Sequence, residues 1–451
     1  MCEKLDSTFS RYRSLLRTKT QDCSAHGFTM LQGYLFLETD RNYDNISKTI
    51  RGPTSQSQDL QQFMSDSTWD TSAVFKQARQ DIGTKLDLAG GMLNFDESGD
   101  ECSGKHKAGS ARQYIGRAGK TDLGQVGVLS SYSKDGVWLL IDAELYLPAV
   151  WLAPVGPLWT NEEGRLRVFK QLRIPAERKF KTKIELAMEQ FDRSLAEQLA
   201  FASVGGDSFY GRSTVFRRHV ASKACSYLFC IPKDCSVWLH NPIEQDDQTD
   251  NLVKTATEVI GDAKWESIDV RGCERGILRY EHAFVRVWTK DADTATFTEE
   301  LLVARRENNG SISFALSNAL QETHQTLALW RAERYFVERT FQDCKSELGW
   351  DELQARKYPA YMHTLALCAI ALVFMADIKI EQRSHYAPPQ KVKEELDIPS
   401  SPDLSLSNVK ELLRAVFPLP QLSKEEAVEK VVQILWKRAK STESRHRKNS
   451  S

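Results

Sequence analysis

The spacing of hydrophobic and polar residues changes at about residue 86 of the chain. Before that point, apolar positions recur at helical spacing between polar turns, so short helices are predicted for residues 1–85. After it, β-rich apolar runs alternate with helical stretches, such as one at about 183–198. This alternation is typical of mixed α/β folds built on a central sheet. The runs predicted as strands are residues 92–96, 124–131, 137–147, 199–204 and 227–232.

The pattern becomes almost purely strand-like between residues 233 and 320. Acidic or Gly/Asn turns separate its β-rich runs, which predicts a β-rich insertion with strands at 237–239, 278–289, 297–305 and 311–316. Two long helices, at about 325–348 and 358–381, then return the chain to the core. The predicted segments are 1–85, an N-terminal helical domain; 86–232, the first part of the core; 233–320, the insertion; 321–381, the second part of the core; and 382–451, a linker, amphipathic helices at 404–417 and 424–440, and a basic tail.

The longest apolar stretch covers residues 365–376 and is flanked by His363 and Asp377. It is too short to span a membrane and is predicted to be a buried helix. The first residues of the chain carry charges throughout and lack the apolar segment of a secretory signal. We therefore expect a cytoplasmic protein with no membrane partner.

Composition restricts the function less than the pattern does. Hydrophobic residues make up 41% of the chain and charged residues 27%, as in ordinary soluble proteins. The formal net charge of −1 does not indicate a nucleic-acid-binding protein, but residues 105–223 contain 19 Lys and Arg against 12 Asp and Glu, a local net charge of +7. Such a basic middle suits an enzyme that binds phosphate locally, although chance clustering also produces it.

Nine cysteines are scattered along the chain. Cys225, Cys230 and Cys235 recur every five residues, but no CxxC pair or nearby Cys/His quartet completes a zinc site. Reduced thiols of a cytoplasmic protein are the better interpretation.

Two aspartates follow strand-like runs and are candidates for chemistry. Asp96 ends the first predicted strand, and Asp207 ends the run at 199–204, where α/β folds form ligand crevices. Each aspartate alone is more readily explained as a turn residue or a helix cap. Phosphoryl transfer on two divalent ions requires several such acids together, because Mg²⁺ prefers oxygen ligands and two ions stabilise both the attacking and the leaving oxygen.

A third carboxylate is suggested by helical geometry in the predicted helix 325–348. At about 100° per residue, Glu338 lies at the centre of a polar face beside an apolar stripe. The cations of that face suit a phosphate backbone near a metal site, whereas a merely solvated face with i,i+4 pairs explains the same spacing. The residues that share the face are Arg331, Arg334, Glu338, Gln342 and Lys345.

Several segments, taken in order, resemble a known family. They are SGKHKAGSARQYIGRAGKTDLGQVGV, LYLPAVW, KFKTKIELA, GDSFYG and ERTFQDCKSELGWDELQARKY. These segments resemble consecutive blocks of insertion-sequence transposases, in particular the insertion sequence 701 family of DDE-superfamily endonucleases. The resemblance extends from about Tyr43 to Arg438, nearly the whole chain.

The resemblance implies a ribonuclease H-like core interrupted by a β-rich insertion, with Asp96, Asp207 and Glu338 as the catalytic and metal-binding residues. It also implies Mg²⁺ as cofactor, with two ions bound and Mn²⁺ as a substitute. In the Y-x2-R-x3-E-x6-K signature, Arg334, Glu338 and Lys345 match. Arg331 stands at the tyrosine position, and the second block reads GGDSFYG where relatives usually read ADEAYG.

DNA is the partner that this resemblance implies, both as transposon ends and as target. A homodimer would pair two ends, and a bacterial nucleoid would be the location. The N-terminal helices either bind the transposon ends or simply pack, and Trp238, Trp265 and Trp288 either stack on a flipped base or, more simply, fill a core. The residues predicted to contact DNA are Lys105, Lys107, Arg112, Arg117, Lys120, Lys181, Lys183, Arg331, Arg334 and Lys345.

Three functions are compatible with these observations. The first is a metal-dependent transposase that cuts at transposon ends and transfers the strand to target DNA. The second is a nuclease on the same fold that does not transfer strands. The third is a non-catalytic DNA-binding protein derived from a transposase, which the three retained acids disfavour.

Overall fold

The computed structural model describes residues 1–243, 253–273, 276–352, 355–385 and 404–417, with single residues beyond. Most of the predicted linker, the predicted helix at 424–440 and the basic tail therefore lie outside the described residues.

Five short helices form the N-terminal part of the chain, as predicted. Side-chain caps begin two of them: Asn42 accepts a bond from the Asn45 amide, and Asp70 accepts one from the Ser72 amide. Their apolar faces belong to one continuous hydrophobic core that also includes the sheet and a long C-terminal helix. The helices are α1 (Cys2–Arg13), α2 (Ser24–Phe36), α3 (Tyr43–Arg51), α4 (Gln58–Ser65) and α5 (Thr71–Thr84).

Six strands follow, with four helices between them. The predicted runs are found as strands, and one strand, β2, lies in the basic segment where none was predicted. The strands are β1 (Gly91–Glu101), β2 (Ala111–Ile115), β3 (Lys120–Lys134), β4 (Val137–Leu145), β5 (Phe201–Gly206) and β6 (Tyr227–Ile231). The helices are α6 (Glu162–Leu172), α7 (Lys183–Ala196), α8 (Ser208–Gly211) and α9 (Thr214–Ser222).

These strands form a mixed sheet of the kind expected for a ribonuclease H-like core. Strand β3 pairs antiparallel with β1 on one side and with β2 and β4 on the other. Strands β1, β5 and β6 are parallel neighbours, so the carboxyl ends of β5 and β6 lie at the same edge. This mixed α/β arrangement, with helices at both ends of the chain, confirms the predicted fold class.

Four strands of the insertion extend the same sheet, while β7 and β8 pair as a separate two-stranded sheet. Strand β12 pairs antiparallel with β6, and β11, β10 and β9 continue the order outward. Strand β9 was not predicted, because its polar and charged residues hide the alternation in the sequence. The elements are β7 (Ser236–Val237), β8 (Lys254–Thr255), α10 (Ala256–Val259), β9 (Trp265–Cys273), β10 (Gly276–Lys290), β11 (Phe297–Arg306) and β12 (Ile312–Ser317).

The helix predicted at 325–348 is divided in the structure. Helix α11 (His324–Glu333) ends at Arg334, α12 (Tyr335–Gln342) follows directly, and the last turn, Asp343–Glu347, is a π-helix. The amide of Val337 bonds to the carbonyl of Arg334, three residues back, which tightens the helix at this junction. A regular 100° rotation therefore does not run through the whole segment.

Helix α13 (Tyr358–His385) is the central helix of the core and packs against β4 and α5. Its length and composition would allow it to cross a membrane, but 94% of its most apolar window is buried inside the protein. It is the buried helix predicted from the apolar stretch. Helix α14 (Leu406–Val416) packs on α2 and confirms the predicted helix at 404–417.

Candidate active site

Asp96 lies in the middle of β1, not at its end as the sequence predicted. The strand continues in register with β3 as far as Glu101, because the polar residues after Asp96 still pair with it. Strand β5, however, stops at Gly206, which pairs with Phe95. Asp96 therefore lies just past the end of its parallel neighbour, at the edge where a crevice opens.

Asp207 immediately follows β5 and begins α8. Its Oδ1 accepts hydrogen bonds from the amides of Phe209, at 2.9 Å, and Tyr210, at 3.3 Å. Asp207 thus caps α8 and lies at the candidate site, and the two amides fix the orientation of its carboxylate. The parallel pairing of β1 with β5 brings Asp207 next to Asp96.

The neighbouring negative charges change the protonation of Asp96. Burial, and then the charge of Asp207, raise the pKa of Asp96 to about 8, while the positive charge of Arg334 opposes this rise. Two carboxylates that share a site cannot both ionise easily unless a cation compensates them. At neutral pH the pair either holds a proton or requires a positive charge.

Arg334 lies between two of the predicted acids. Its Nη2 is 3.8 Å from Oδ2 of Asp96, and its Nη1 is 3.4 Å from Oε1 of Glu338. The side chain of Arg334 is only 16% exposed, and its Nε has no hydrogen-bond partner among the described residues. Burial opposes the charge of the guanidinium, but Cys230, Asp96 and Glu338 raise its pKa above the ordinary value.

Glu338 is the most accessible of the three acids, with 62% of its side chain exposed. Among the described residues, no three acid, histidine or cysteine side chains lie close enough together to hold one ion. Arg334 occupies the space between Asp96 and Glu338, so the long side chain of Glu338 would have to move to join an ion at the aspartates. The chemistry of the donors still fits a hard divalent cation, because Asp96 and Asp207 supply carboxylate oxygens whose mutual repulsion a cation relieves.

A second group of residues lies beside the aspartates and was only partly predicted. Lys183, the first residue of α7, donates to Oε1 of Glu97 at 2.9 Å, so this predicted DNA contact is brought to the site. Tyr210 is fully buried; burial and then the charges of Glu97, Asp96 and Asp207 raise the pKa of its hydroxyl. The alternation of side chains along a strand could have predicted the position of Glu97. As the residue after Asp96, Glu97 faces the other side of the sheet, where α7 packs.

Two predicted DNA contacts are buried, which corrects the prediction made from a regular helix. Arg331 is buried, and its Nη2 donates to Oγ of Ser313 at 2.9 Å. Lys345 is also buried; its ammonium is 2.6 Å from Oδ1 of Asp100 and bonds to a backbone carbonyl. The break at Arg334 and the π-helical turn separate both residues from the polar face of Glu338.

The remaining predicted contacts lie outside this cluster. Lys105 and Arg112 are exposed, and Lys107 is half-buried. Lys120 is exposed but paired with Glu101 at 3.3 Å and Asp122 at 2.7 Å, and Lys181 pairs with Glu189 at 2.5 Å. Arg117 lies in a short 3-10 turn, Gly116–Ala118, and its side chain is outside what the structure describes.

The three tryptophans of the insertion are half-buried, and Trp265 packs against the hydrophobic core of the insertion. Trp238 pairs with Trp288 across a β-bridge and contacts Phe297 edge to face. Trp265 lies under the guanidinium of Arg306. All three thus lie at the surface of the extended part of the sheet.

Two models of known protein families match this chain. The family model of the DDE superfamily endonucleases matches residues 12–251, more than half of the chain, and includes Asp96 and Asp207. The family model of the transposase DDE domain matches residues 169–374 and includes Asp207 and Glu338. A search of curated proteins gives no match. Since the first match covers most of the N-terminal half and the core strands, the chain belongs to the DDE superfamily endonucleases.

Proposed function

We propose that this protein is the transposase of a bacterial insertion sequence related to the insertion sequence 701 family. It would cut DNA at the transposon ends and join the freed 3′-hydroxyl to target DNA. Enzymes of the DDE superfamily typically use divalent metal ions, and we propose Mg²⁺, with two ions bound and Mn²⁺ as a substitute. Asp96, Asp207 and Glu338 would hold them.

The observation that carries this proposal is the half-buried pair of aspartates at the end of β5, joined through Arg334 to Glu338 on α12. Bound ions would supply an activated water and stabilise the charge on the attacking and leaving oxygens. The amides of Phe209 and Tyr210 hold Asp207 in one orientation. Asp96 gives up its proton when a cation replaces it, because its pKa is raised chiefly by burial and by Asp207.

The cations around the site have separate roles in this proposal. Arg334, once Glu338 has turned toward an ion, is positioned to bind a phosphate next to the aspartates. Lys183, which pairs with Glu97 at 2.9 Å, would bind the neighbouring phosphate. The exposed Lys105 and Arg112, together with Lys107, Lys120 and Lys181, would contact DNA farther from the chemistry.

The proposed partners are transposon-end DNA and target DNA, with a homodimer forming when two ends are paired. The proposed location is the bacterial nucleoid. The N-terminal helices remain candidates for end recognition.

The first test compares the wild-type protein with Asp96→Asn, Asp207→Asn and Glu338→Gln on supercoiled DNA that carries the sequences flanking its gene. We expect each substitution to reduce cleavage in Mg²⁺ by a factor of at least about a thousand, since each removes a ligand charge, while DNA binding in a gel-shift assay persists. The matched control is Glu163→Gln on α6, an exposed helical acid that also pairs with an arginine four residues away, at 3.1 Å. Full cleavage by any of the three variants would remove that residue from the proposed site.

A second assay supplies pre-cut ends and measures joining to target DNA. Cleavage without joining would identify the protein as a nuclease. Calorimetry with Mn²⁺ tests the third alternative, a non-catalytic DNA-binding protein derived from a transposase. Such a protein would bind DNA but no divalent ion.

A further inference from the structure

Phe209 is a solvent-facing aromatic ring two residues after Asp207. Its side chain is 43% exposed, although the residue lies beside one of the most buried parts of the site. Its backbone amide donates to Oδ1 of Asp207, and its ring contacts that of Tyr210 edge to face, with centroids 5.2 Å apart. Tyr210 is fully buried. The ring of Phe209 is therefore anchored to the same turn that orients Asp207.

A cation and a second aromatic ring accompany Phe209. The ammonium of Lys183 is 5.5 Å from the centroid of the Phe209 ring and 5.8 Å from that of Tyr146. Glu97 holds this ammonium at 2.9 Å, so its position is fixed rather than variable. An exposed ring beside a fixed positive charge offers one surface to a base and one to a phosphate.

A single exposed phenylalanine is normal on a protein surface and needs no functional explanation. Two observations distinguish this one: the hydrogen bond from its amide to Asp207 and the lysine over its ring.

We propose that Phe209 and Lys183 form a nucleotide subsite next to the aspartates. The ring of Phe209 stacks on an unpaired nucleobase of the DNA that flanks the scissile phosphate, and Lys183 binds the adjoining phosphate. This inference rests on the proposed function, since it assumes that DNA is cut at Asp96 and Asp207. Phe209 acts as a positioning residue, because it orients the strand and takes no part in the chemistry.

The test measures stacking directly. A forked DNA with one 2-aminopurine at its unpaired position is titrated with the protein in Ca²⁺, and the fluorescence of the 2-aminopurine is followed. We expect the wild-type protein and Phe209→Trp to quench it, and Phe209→Leu, which keeps an apolar side chain without a π-face, to leave it unquenched. Affinity for the fork should fall about tenfold in Phe209→Leu, within the range of base–aromatic stacking.

An abasic fork provides the internal comparison. If the ring stacks on the base, wild type and Phe209→Leu should bind the abasic fork equally well, because this DNA lacks the nucleobase on which the ring stacks. The matched control is Phe297→Leu on β11, a phenylalanine of the insertion that also lies under a lysine, with the ammonium of Lys290 5.8 Å from its ring. Phe297→Leu should quench the 2-aminopurine fluorescence and bind the fork as the wild-type protein does.

The outcomes separate this inference from the proposed function. Equal quenching by wild type and Phe209→Leu, with DNA cleavage intact in the wild type, would overturn the subsite and leave the transposase proposal standing. Wild-type protein that neither binds nor cleaves any DNA would overturn both. Loss of quenching in Phe209→Leu with unchanged thermal stability would support the subsite.

Discussion

At the scale of single residues, the sequence predicts which acids are candidates for the site but not how each one is held in the structure. From the sequence, Asp207 alone is more readily explained as a helix cap than as a metal ligand; the structure confirms the cap, and the ligand role stays a prediction. Asp96 was predicted as a candidate, but it was placed at the end of its strand instead of in the middle. The end of an apolar run shows where the buried part of a strand ends, whereas the hydrogen-bonded pairing continues beyond it. Glu97 and Tyr210 were not predicted as part of the site, because no motif or spacing in the sequence singles them out. Their position beside the aspartates depends on how neighbouring strands pack.

The raised pKa of Asp96 predicts how stability depends on pH. Its folded pKa is about 8 against an ordinary value of 3.8, so the folded protein holds a proton that the unfolded chain has lost. The resulting stabilisation is complete below pH about 4 and is lost as pH rises through about 8. We expect Asp96→Asn to raise the stability of the metal-free protein by several kcal/mol at pH 8.5 and by only about 1–2 kcal/mol at pH 5, since each pKa unit corresponds to about 1.4 kcal/mol.

Thermal unfolding at the two pH values, with and without Mg²⁺, checks this prediction. Mg²⁺ should stabilise the wild-type protein more at pH 8.5 than at pH 5, because the ion replaces the proton that is absent there. Stabilisation by Asp96→Asn that is the same at both pH values would show that the carboxyl group is not the source of the effect.

At the scale of elements, α8 depends on one close contact. A Cβ on Gly211 would lie 1.8 Å from the carbonyl oxygen of Cys230 on β6, which is backbone and cannot give way. Gly211→Ala should therefore displace α8, lower stability by about 2 kcal/mol or more, and disturb the amides that orient Asp207. The measurements are the free energy of unfolding and DNA cleavage, both of which should fall.

Gly83 on α5 offers the matched substitution. Among the described residues, no heavy atom beyond its own helix backbone and chain neighbours lies within 4 Å of the position that a Cβ would take there. Gly83→Ala should therefore raise stability by about 0.5–1 kcal/mol and leave cleavage unchanged. Cleavage at the wild-type rate by Gly211→Ala would show that the position of α8 does not matter for the site.

The elements themselves were largely predictable, since hydrophobic periodicity identified the core strands, most strands of the insertion and the buried helix α13. The junction at Arg334 was not, because a helix broken by packing keeps the amino acids of a continuous one. The buried positions of Arg331 and Lys345 follow from that junction. Their charges suggested a DNA-facing surface, whereas tertiary contacts with Ser313 and Asp100 hold them inside.

At the scale of the whole molecule, the N-terminal helices and the core sheet share one hydrophobic core through α13. A chain lacking residues 1–85 would expose the buried face of α13, so we expect it to be insoluble or unfolded. The wild-type protein should unfold in one transition as followed by calorimetry. A folded, soluble fragment of residues 1–85 alone, judged by circular dichroism, would contradict this and favour an independent N-terminal domain.

The pairing of β12 with β6 has a further consequence, for ancestry. Ile231, the last residue of β6, lies opposite Phe314 near the start of β12, so the insertion leaves and re-enters the core at almost the same point. A lineage can gain, lose or exchange such a segment by joining two adjacent ends, without rebuilding the strands that carry the acids. The insertion can therefore vary in length and sequence without changing β1 and β5, the strands that position Asp96 and Asp207.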